Sequence, residues 1–355
     1  MSGELVRPAR LGRVLASATD DDAWLHLEAR LVAGGKSNLT FELTSASGAL
    51  ILRRPPSGAL LPSAHDMTRE VRVQRALHGS AVPVPRIVHL EEGAEPLGVP
   101  FYVMEKVEGH IVRDELPAGF ASTAEEKRAL ADGLVDTLAA LHTVDVASVG
   151  LADFGRPEGF LERQVRRWRD QSARSSSDRP SPELEALGAT LARRVPVSPP
   201  PALLHGDFRL DNCMLVPEAP GRVAAVLDWE MSTVGDPLTD LGMLLFFWFG
   251  PDDRTSSLVP SLTQTPGFPE REHLARRYAA ATGIDPEVLG YYEAFANFKF
   301  AVIAQGIAAR VAAGAMAGQE FGDVAGEVPG RAEDGLLALE RWSGAETRTT
   351  SGGWR

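Results

Sequence analysis

The sequence predicts an α+β fold of two lobes, a small β-rich N-terminal lobe followed by a larger, mainly helical C-terminal lobe. Three observations carry that prediction. Short apolar runs separated by turn residues fill the chain up to position 105, long stretches with helical spacing dominate after position 123, and a polar cluster at 203–215 sits between strand-like apolar segments. The first pattern has the period of about 2 expected of strands, the second the period of about 3.6 expected of helices. The expected division is 1–104 for the β-rich lobe, 105–342 for the helical lobe, and a disordered tail over 343–355.

In chain order, Leu25 to Val32 alternates loosely, and a glycine-containing interruption at 33–38 follows. Leu39 to Thr44 and Ala49 to Arg53 read as strands around a turn at Ser45 to Gly48, the second stopped by Pro55 and Pro56. Ser63 to Asp66 supplies capping residues for a helix whose face carries Met67, Val71, Gln74 and Leu77, with Gly79 as its stop. Val82-Pro83-Val84-Pro85 is extended because each proline drives its predecessor from the helical region. Ile87 to Leu90 and Pro100 to Glu105 are two more strands. Thr123 to His142 is an amphipathic helix with Leu130, Leu134, Leu138 and Leu141 at helical spacing. Gly159 to Gln171 is helical, Ser172 to Pro182 a polar mobile loop, and Glu183 to Arg194 a short helix. Leu203-Leu204 and Val223 to Leu227 flank the polar cluster as strands, and residues from Pro237 to about Trp342 are mostly helical.

Composition narrows the function. No run of about 18 uncharged apolar residues suggests a membrane span, and the N-terminus lacks the apolar core of a signal peptide. Cys213 is the only cysteine, so neither an internal disulfide nor a cysteine-based zinc site is expected, and a cytoplasmic address is. The net charge of −12 argues against a nucleic-acid partner, which requires a basic footprint.

The chemistry concentrates in Leu203-Leu204-His205-Gly206-Asp207-Phe208-Arg209-Leu210-Asp211-Asn212-Cys213-Met214-Leu215 and in Val226-Leu227-Asp228-Trp229-Glu230, whose Asp228 lies 16 residues after Asn212. Both segments deliver acidic groups to the ends of apolar runs, where charge is costly unless a ligand or metal compensates it. Phosphoryl transfer needs such a set: one carboxylate to orient the attacking hydroxyl, and two hard oxygen ligands for magnesium on the nucleotide phosphates. Asp207, Asn212 and Asp228 have the matching spacing.

Here the sequence resembles the aminoglycoside phosphotransferase and choline kinase superfamily, relatives of the protein kinases, through His205-Gly206-Asp207 to Asn212, Leu227-Asp228-Trp229-Glu230 and Gly235-Asp236-Pro237-Leu238-Thr239-Asp240-Leu241. Gly34-Gly35-Lys36-Ser37-Asn38-Leu39-Thr40, Leu52-Arg53-Arg54-Pro55-Pro56, Ser63-Ala64-His65-Asp66-Met67 and the stretch from Asn297 to Arg310 resemble the branch of kinase domains fused to acyl-CoA dehydrogenases. The resemblance implies a protein-kinase-like fold and an ATP- and magnesium-dependent small-molecule kinase. It makes Asp207 the catalytic base or hydroxyl-orienting group, and Asn212 and Asp228 the magnesium ligands. Arg53 falls where the family usually carries a lysine and sometimes an arginine that contacts the α- and β-phosphates, and Glu70 would fix it. Glu105 and Val107 would meet adenine through their backbone, and Gly34, Gly35, Ser37 and Asn38 would cover the phosphates. Arginine's planar fork is not equivalent to a lysine ammonium.

Plainer readings account for other residues. His205 is expected to pack and hydrogen-bond within its loop, Asp236 and Asp240 to serve as caps, Asp211 to be a solvated neighbour, and Cys213, Met231, Met243, Phe246, Phe247 and Trp248 to be core. Gly35-Lys36-Ser37 is not a phosphate-binding GxxxxGKS loop, because position 30 is Arg30 and a strand follows. The segment Glu162 to Arg174 has five arginines against Glu162 and Asp170, 5 − 2 = +3. It reads either as a solvated helix face or as an anion-binding rim, with Arg166 in the rim and Trp168 as a stacking surface. Glu230, Tyr291, Tyr292, Asn297 and Lys299 are candidates for the acceptor pocket.

The expected acceptor is a small-molecule hydroxyl. The branch resemblance and the arginine-rich helix favour a hydroxyacyl-CoA; the acidic charge favours an aminoglycoside or amino-alcohol. A non-catalytic nucleotide-binding regulator is the rival, and it predicts loss of Asp207, Asn212 or Asp228, all of which are present. A metal-dependent hydrolase lacks its histidine-rich ligand set.

Overall fold

The computed structural model describes residues 5–32, 38–56, 66–175, 181–285, 288–314 and 322–351, the last nine as backbone only. Gly34, Gly35, Ser37 and the capping residues 63–65 lie outside them. No described helix is long and apolar enough to cross a membrane.

The N-terminal part is built on one antiparallel sheet of β1 (Glu28–Leu31), β2 (Leu39–Ser45), β3 (Gly48–Arg54), β4 (Ile87–Glu91) and β5 (Phe101–Glu105), in the order β1-β2-β3-β5-β4. Strand alternation decides what each residue meets. Along β3, Leu50, Leu52 and Arg54 are buried on one face, and Ile51 and Arg53 turn to the other. The first face packs against α1 (Pro8–Thr19), whose Leu11 and Leu15 join Phe41, Leu43, Leu52, Phe101 and Val103. The sequence reading contains no helix there. Its signals are Pro8, pre-set for a first helical turn, and the i, i+4 pair Leu11 and Leu15. The second face packs against α2 (Met67–Leu77) through Met67, Val71, Tyr102 and Met104. Asp66 caps α2 by accepting from the Arg69 amide at 3.0 Å.

The C-terminal part comprises β6 (His110–Ile111), α3 (Ala124–His142), α4 (Phe160–Ser175), α5 (Pro182–Arg193), β7 (Ala202–Leu204), β8 (Cys213–Val216), β9 (Ala219–Val226), β10 (Thr233–Gly235), α6 (Leu238–Phe246), α7 (Arg271–Thr282), α8 (Leu289–Ala312) and α9 (Val324–Ser351). A full capping box at Thr123 and Glu126 starts α3. Its Gly133 lies against Gly221 of β9, where an added Cβ would stand 2.1 Å from the Gly221 carbonyl oxygen.

The two strands flanking the polar cluster belong to different sheets: β7 pairs with β10, and β9 pairs with β8 beside β6. Two expectations need correction. The polar loop expected from Ser172 begins later, because α4 runs to Ser175, and Pro182 opens α5 at a first-turn position where its missing N–H costs nothing. Helix α9 is described to Ser351, its last nine residues as backbone only. Met231 is not core but 43% exposed.

Candidate active site

The loop after β7 is held from below. At Gly206 φ is +85°, and a Cβ there would lie 2.5 Å from the Met231 carbonyl oxygen, so only glycine permits the turn. Asp240, in the first turn of α6 and 1% exposed, accepts from the His205 amide at 2.6 Å and the Gly206 amide at 2.9 Å. A carboxylate is favoured at that end of a helix. Burial opposes its ionisation, but His142 and His205 outweigh burial and keep its carboxyl below the ordinary value. His205 in turn lies 2.8 Å from the Leu227 carbonyl oxygen through Nε2, with its ring 4.8 Å from that of Trp229. Asp236 caps the Leu238 amide and receives the Tyr292 hydroxyl at 2.7 Å. These groups position the loop from below.

Asp207 is carried above them. Asn212 donates through Nδ2 to the Asp207 carbonyl oxygen at 2.8 Å and to Oδ2 at 3.0 Å, which leaves its own Oδ1 free of that pair. Arg209 Nε lies 3.3 Å from Asp207 Oδ2 and 3.1 Å from Asp211 Oδ1. Asp211 is therefore not a solvated neighbour: burial raises its carboxyl, and Arg209 opposes the rise. Leu227 donates its amide to the Asn212 carbonyl at 2.9 Å, which fixes the end of β9 beside the loop. The next residue, Asp228, adopts the left-handed region at φ 66°, which costs a non-glycine residue about 1 kcal/mol and which aspartate tolerates better than most. Its Oδ1 accepts from Arg53 Nη2 at 3.0 Å.

Arg53 reaches the cleft from β3 and also lies 3.6 Å from Glu70 on α2. Burial works against its charge, but Tyr102, Glu70 and Asp228 raise its pKa above the ordinary value. Glu70 is 1% exposed and accepts from the Tyr102 hydroxyl at 2.9 Å and from Asn38 Nδ2 at 3.1 Å. Burial pushes its carboxyl up to about 7, against the pull of Arg53.

Three cavities surround this set. One of about 610 Å³ is lined by Arg53, Asp207, Asn212, Asp228 and the segment Ser256 to Ser261. Ser256 and Ser257 are held there by hydrogen bonds to Glu327 on α9. A slot of about 290 Å³, lined by Ile51, Met104, Glu105, Val107, Met214 and Leu227, shares Arg53, Asn212 and Asp228 with it. The third, of about 530 Å³, lies beyond Gly206 and Glu230 and is walled by Trp168, Met231, Phe295 and Lys299.

Most candidate residues meet here, and four do not, among them Tyr291, which is buried and donates to the Leu191 carbonyl at 3.0 Å. Asn38, Arg53, Glu70, Glu105, Val107, Trp168, Asp207, Asn212, Asp228 and Glu230 line these cavities or touch a residue that does. Arg166 is exposed on α4, and its neighbour Arg167 lines the cavity instead. Tyr292 is fully buried against Asp236, and Asn297 borders a separate charged cavity of about 230 Å³ beside Arg331 and Asp334. Asn297 and Lys299 are two positions apart and so lie on opposite sides of α8. Sequence reasoning missed Arg69, which donates to the Phe154 carbonyl at 2.7 Å and the Ser232 carbonyl at 3.0 Å and lines the third cavity. It also gave no role to Arg209, although that residue stands two positions after Asp207 in the motif itself.

Residues 28–296 match the profile of the phosphotransferase enzyme family. The chain is 39% identical over 313 residues to acyl-CoA dehydrogenase family member 11 of Rattus norvegicus, covering 86% of this chain and 39% of that protein. It is 36% identical over 280 residues to family member 10 of Mus musculus, covering 78% and 26%. It thus spans about two-fifths or less of the length of these relatives. Among solved structures, a protein of Ralstonia eutropha provisionally assigned as an aminoglycoside phosphotransferase superposes with a TM-score of 0.77 at 31% identity, covering 89% of this chain and 93% of that one. Choline kinase of Cryptosporidium parvum shares the fold, with a TM-score of 0.62 at 12% identity over 95% and 97% of the two chains.

Proposed function

The chain belongs to the phosphotransferase enzyme family, and from that premise we propose that it transfers the γ-phosphate of ATP to a hydroxyl of a small molecule, with Asp207 as the group that receives the hydroxyl proton. In this reading residues 1–104 hold the nucleotide, and residues 105–342 carry the catalytic and acceptor groups. The observation that carries it is the convergence of Asp207, Asn212, Asp228 and Arg53 on one cavity, with Asn212 bonded to Asp207 at 3.0 Å.

The donor set fits magnesium. No cluster of three or more histidine, cysteine or acidic side chains suited to a metal ion occurs among the described residues. Magnesium does not require one, since it is usually held by one or two protein oxygens with phosphates and water completing its shell. Asn212 Oδ1 and the Asp228 carboxylate are hard oxygens at the same cavity. When bound, the metal would neutralise charge on the phosphate oxygens. The apolar slot at Glu105 and Val107 suits a base, and Arg53, at the junction of slot and cavity, suits the phosphates. Solved proteins of the same fold include a complex with ADP and hygromycin B and one with ATP and streptomycin.

The steps assigned to this chain are few. Asp207 accepts a hydrogen bond from the acceptor hydroxyl and takes its proton as the oxygen bonds to phosphorus; the bond to the β-phosphate oxygen breaks and ADP leaves. Arg209 and Asn212 hold the Asp207 carboxylate in place. Positioning of this kind supplies most of the rate in phosphoryl transfer. For the acceptor we favour a hydroxyacyl-CoA over an aminoglycoside. Support comes from relatives named as acyl-CoA dehydrogenase family members and from Arg167 and Trp168 of the arginine-rich helix on the cavity wall.

The test is ADP release with ATP and magnesium against hydroxyacyl-CoAs and aminoglycosides. Saturable turnover with hydroxyacyl-CoAs, lost in Asp207→Ala, supports the assignment. Turnover confined to aminoglycosides overturns the acceptor preference, and a wild-type rate in Asp207→Ala overturns the role of Asp207.

A further inference from the structure

The cavity of about 530 Å³ contains a cation that the protein itself leaves half-satisfied. Lys299 on α8 donates to the Gly206 carbonyl at 3.2 Å, its one hydrogen bond among the described residues. An ammonium has three donors, so two remain toward the cavity. The carboxylates lining the same space are engaged elsewhere. Asp240 serves the His205 and Gly206 amides, Asp66 the Arg69 amide, and Glu230 receives Asn38 at 3.5 Å. None forms an ion pair with Lys299 among the described residues. Burial lowers the ammonium's pKa, and Asp207 and Asp240 oppose the fall. The Trp168 ring lies 5.9 Å from the ammonium, and Phe295, one turn earlier on α8, lines the same wall. A partly desolvated cation with free donors is costly until a ligand supplies the acceptor atoms.

We infer that Lys299 is a specificity-determining residue that donates to a carbonyl or carboxylate oxygen of the acceptor, selecting hydroxy compounds that carry such an oxygen a few bonds from the hydroxyl. Gly206, its backbone partner, adjoins Asp207, so the cation and the proton acceptor address one short stretch of the substrate. Trp168 and Phe295 offer an apolar wall for the carbon chain between them. An amino sugar would set its ammonium groups against Lys299, Arg167 and Arg69, which share the cavity. The inference rests on the hydroxyacyl reading and names the atom group by which this chain recognises such an acceptor.

The experiment uses the full chain and three acceptors of equal carbon length: a hydroxyacyl-CoA, the free hydroxy acid, and the diol that lacks the carbonyl. Wild type should show higher kcat/KM on at least one of the first two than on the diol, and whichever leads identifies the oxygen as thioester or carboxylate. Lys299→Met should reduce the ratio of carbonyl-bearing acceptor to diol by about 10- to 100-fold, the span expected for a lost charged hydrogen bond, chiefly through KM. Lys299→Arg should restore part of that ratio. An unchanged ratio, with all acceptors falling together, would make Lys299 a structural tie to Gly206 and overturn the inference; so would a wild-type preference for the diol. Should Lys299→Met fail to fold by circular dichroism, the ratio in the uncharged Lys299→Gln decides, and wild-type selectivity carried over intact counts against the inference. Absence of transfer to every acceptor by wild type overturns the kinase reading itself, a result distinct from any pattern among the variants.

Discussion

In the cavity that holds Arg53, each cation of the loop and strand faces a carboxylate: Arg53 lies 3.0 Å from Asp228, and Arg209 lies 3.3 Å from Asp207. Across the loop, in the cavity walled by Trp168, the cation Lys299 hydrogen-bonds, among the described residues, to a backbone carbonyl alone. At these two contacts the first cavity balances its charges pair by pair. In the second, Lys299 has no carboxylate partner among the described residues. Where a protein pairs its charges it fixes a mechanism, and where it leaves one unpaired it selects a partner.

The largest effect expected on the balanced side is that of Asp207→Ala. It should lower kcat by about 10²- to 10⁴-fold, the range for loss of a general base. Because the side chain is only partly buried, the melting temperature should stay within a few degrees of wild type, measured by ADP release and thermal denaturation in parallel. If stability falls as steeply as rate, Asp207 belongs with the supporting network and the contrast breaks. Asp240→Ala should behave the opposite way. It leaves the His205 and Gly206 amides without their acceptor and should cost about 3–5 kcal/mol in urea unfolding. Retained stability with lost turnover would move Asp240 into the chemistry.

Arg53→Ala should raise the KM for ATP about tenfold, with Arg53→Lys between it and wild type, since a single ammonium replaces one charge but not the fork. An unchanged KM would remove Arg53 from the nucleotide site. The smallest effect concerns pH. Burial holds the Glu70 carboxyl up to about 7, against 4.5 for an ordinary glutamate. The native state therefore keeps a proton that the unfolded chain has released, and the stability Glu70 contributes is full below about 4.5 and lost as pH rises through 7. In the absence of nucleotide, the melting temperature of wild type relative to Glu70→Gln should fall between pH 5 and 8 by a few degrees. A flat difference would mean that Arg53 keeps Glu70 ionised throughout.

The same contrast explains how much could be read in the sequence. The alternation of β3, the capping residues of α2 and α3, and the short loop from His205 to Asn212 are local, so residue types and spacing reveal them. Asp228 is legible because one strand separates it from that loop. The third cavity, proposed for the acceptor, is assembled from α2, α4, α6 and α8, which are far apart in the chain, and α8 carries buried residues all round its surface. Periodicity cannot choose a face on such a helix. Hence Tyr291, Tyr292 and Asn297 were expected at the acceptor pocket and lie outside the third cavity, whereas Lys299 of the same set lines that cavity. Arg166 and Arg167 differ by about 100° around α4, an angle that an arginine-rich segment does not resolve. The pairing of β7 with β10 was hidden for a related reason, since three-residue strands leave too little pattern to assign a partner.

Helix α8 runs from Leu289 to Ala312 and so crosses residue 296, where the match to the shared family profile stops. Lys299 stands three positions beyond that limit. The reacting loop lies inside the broad family profile, while the residue proposed to read the substrate lies past its end, within the stretch 297–310 that resembles the narrower branch. A descendant that redesigned only the later turns of this helix would preserve phosphate transfer and redirect it to a new recipient.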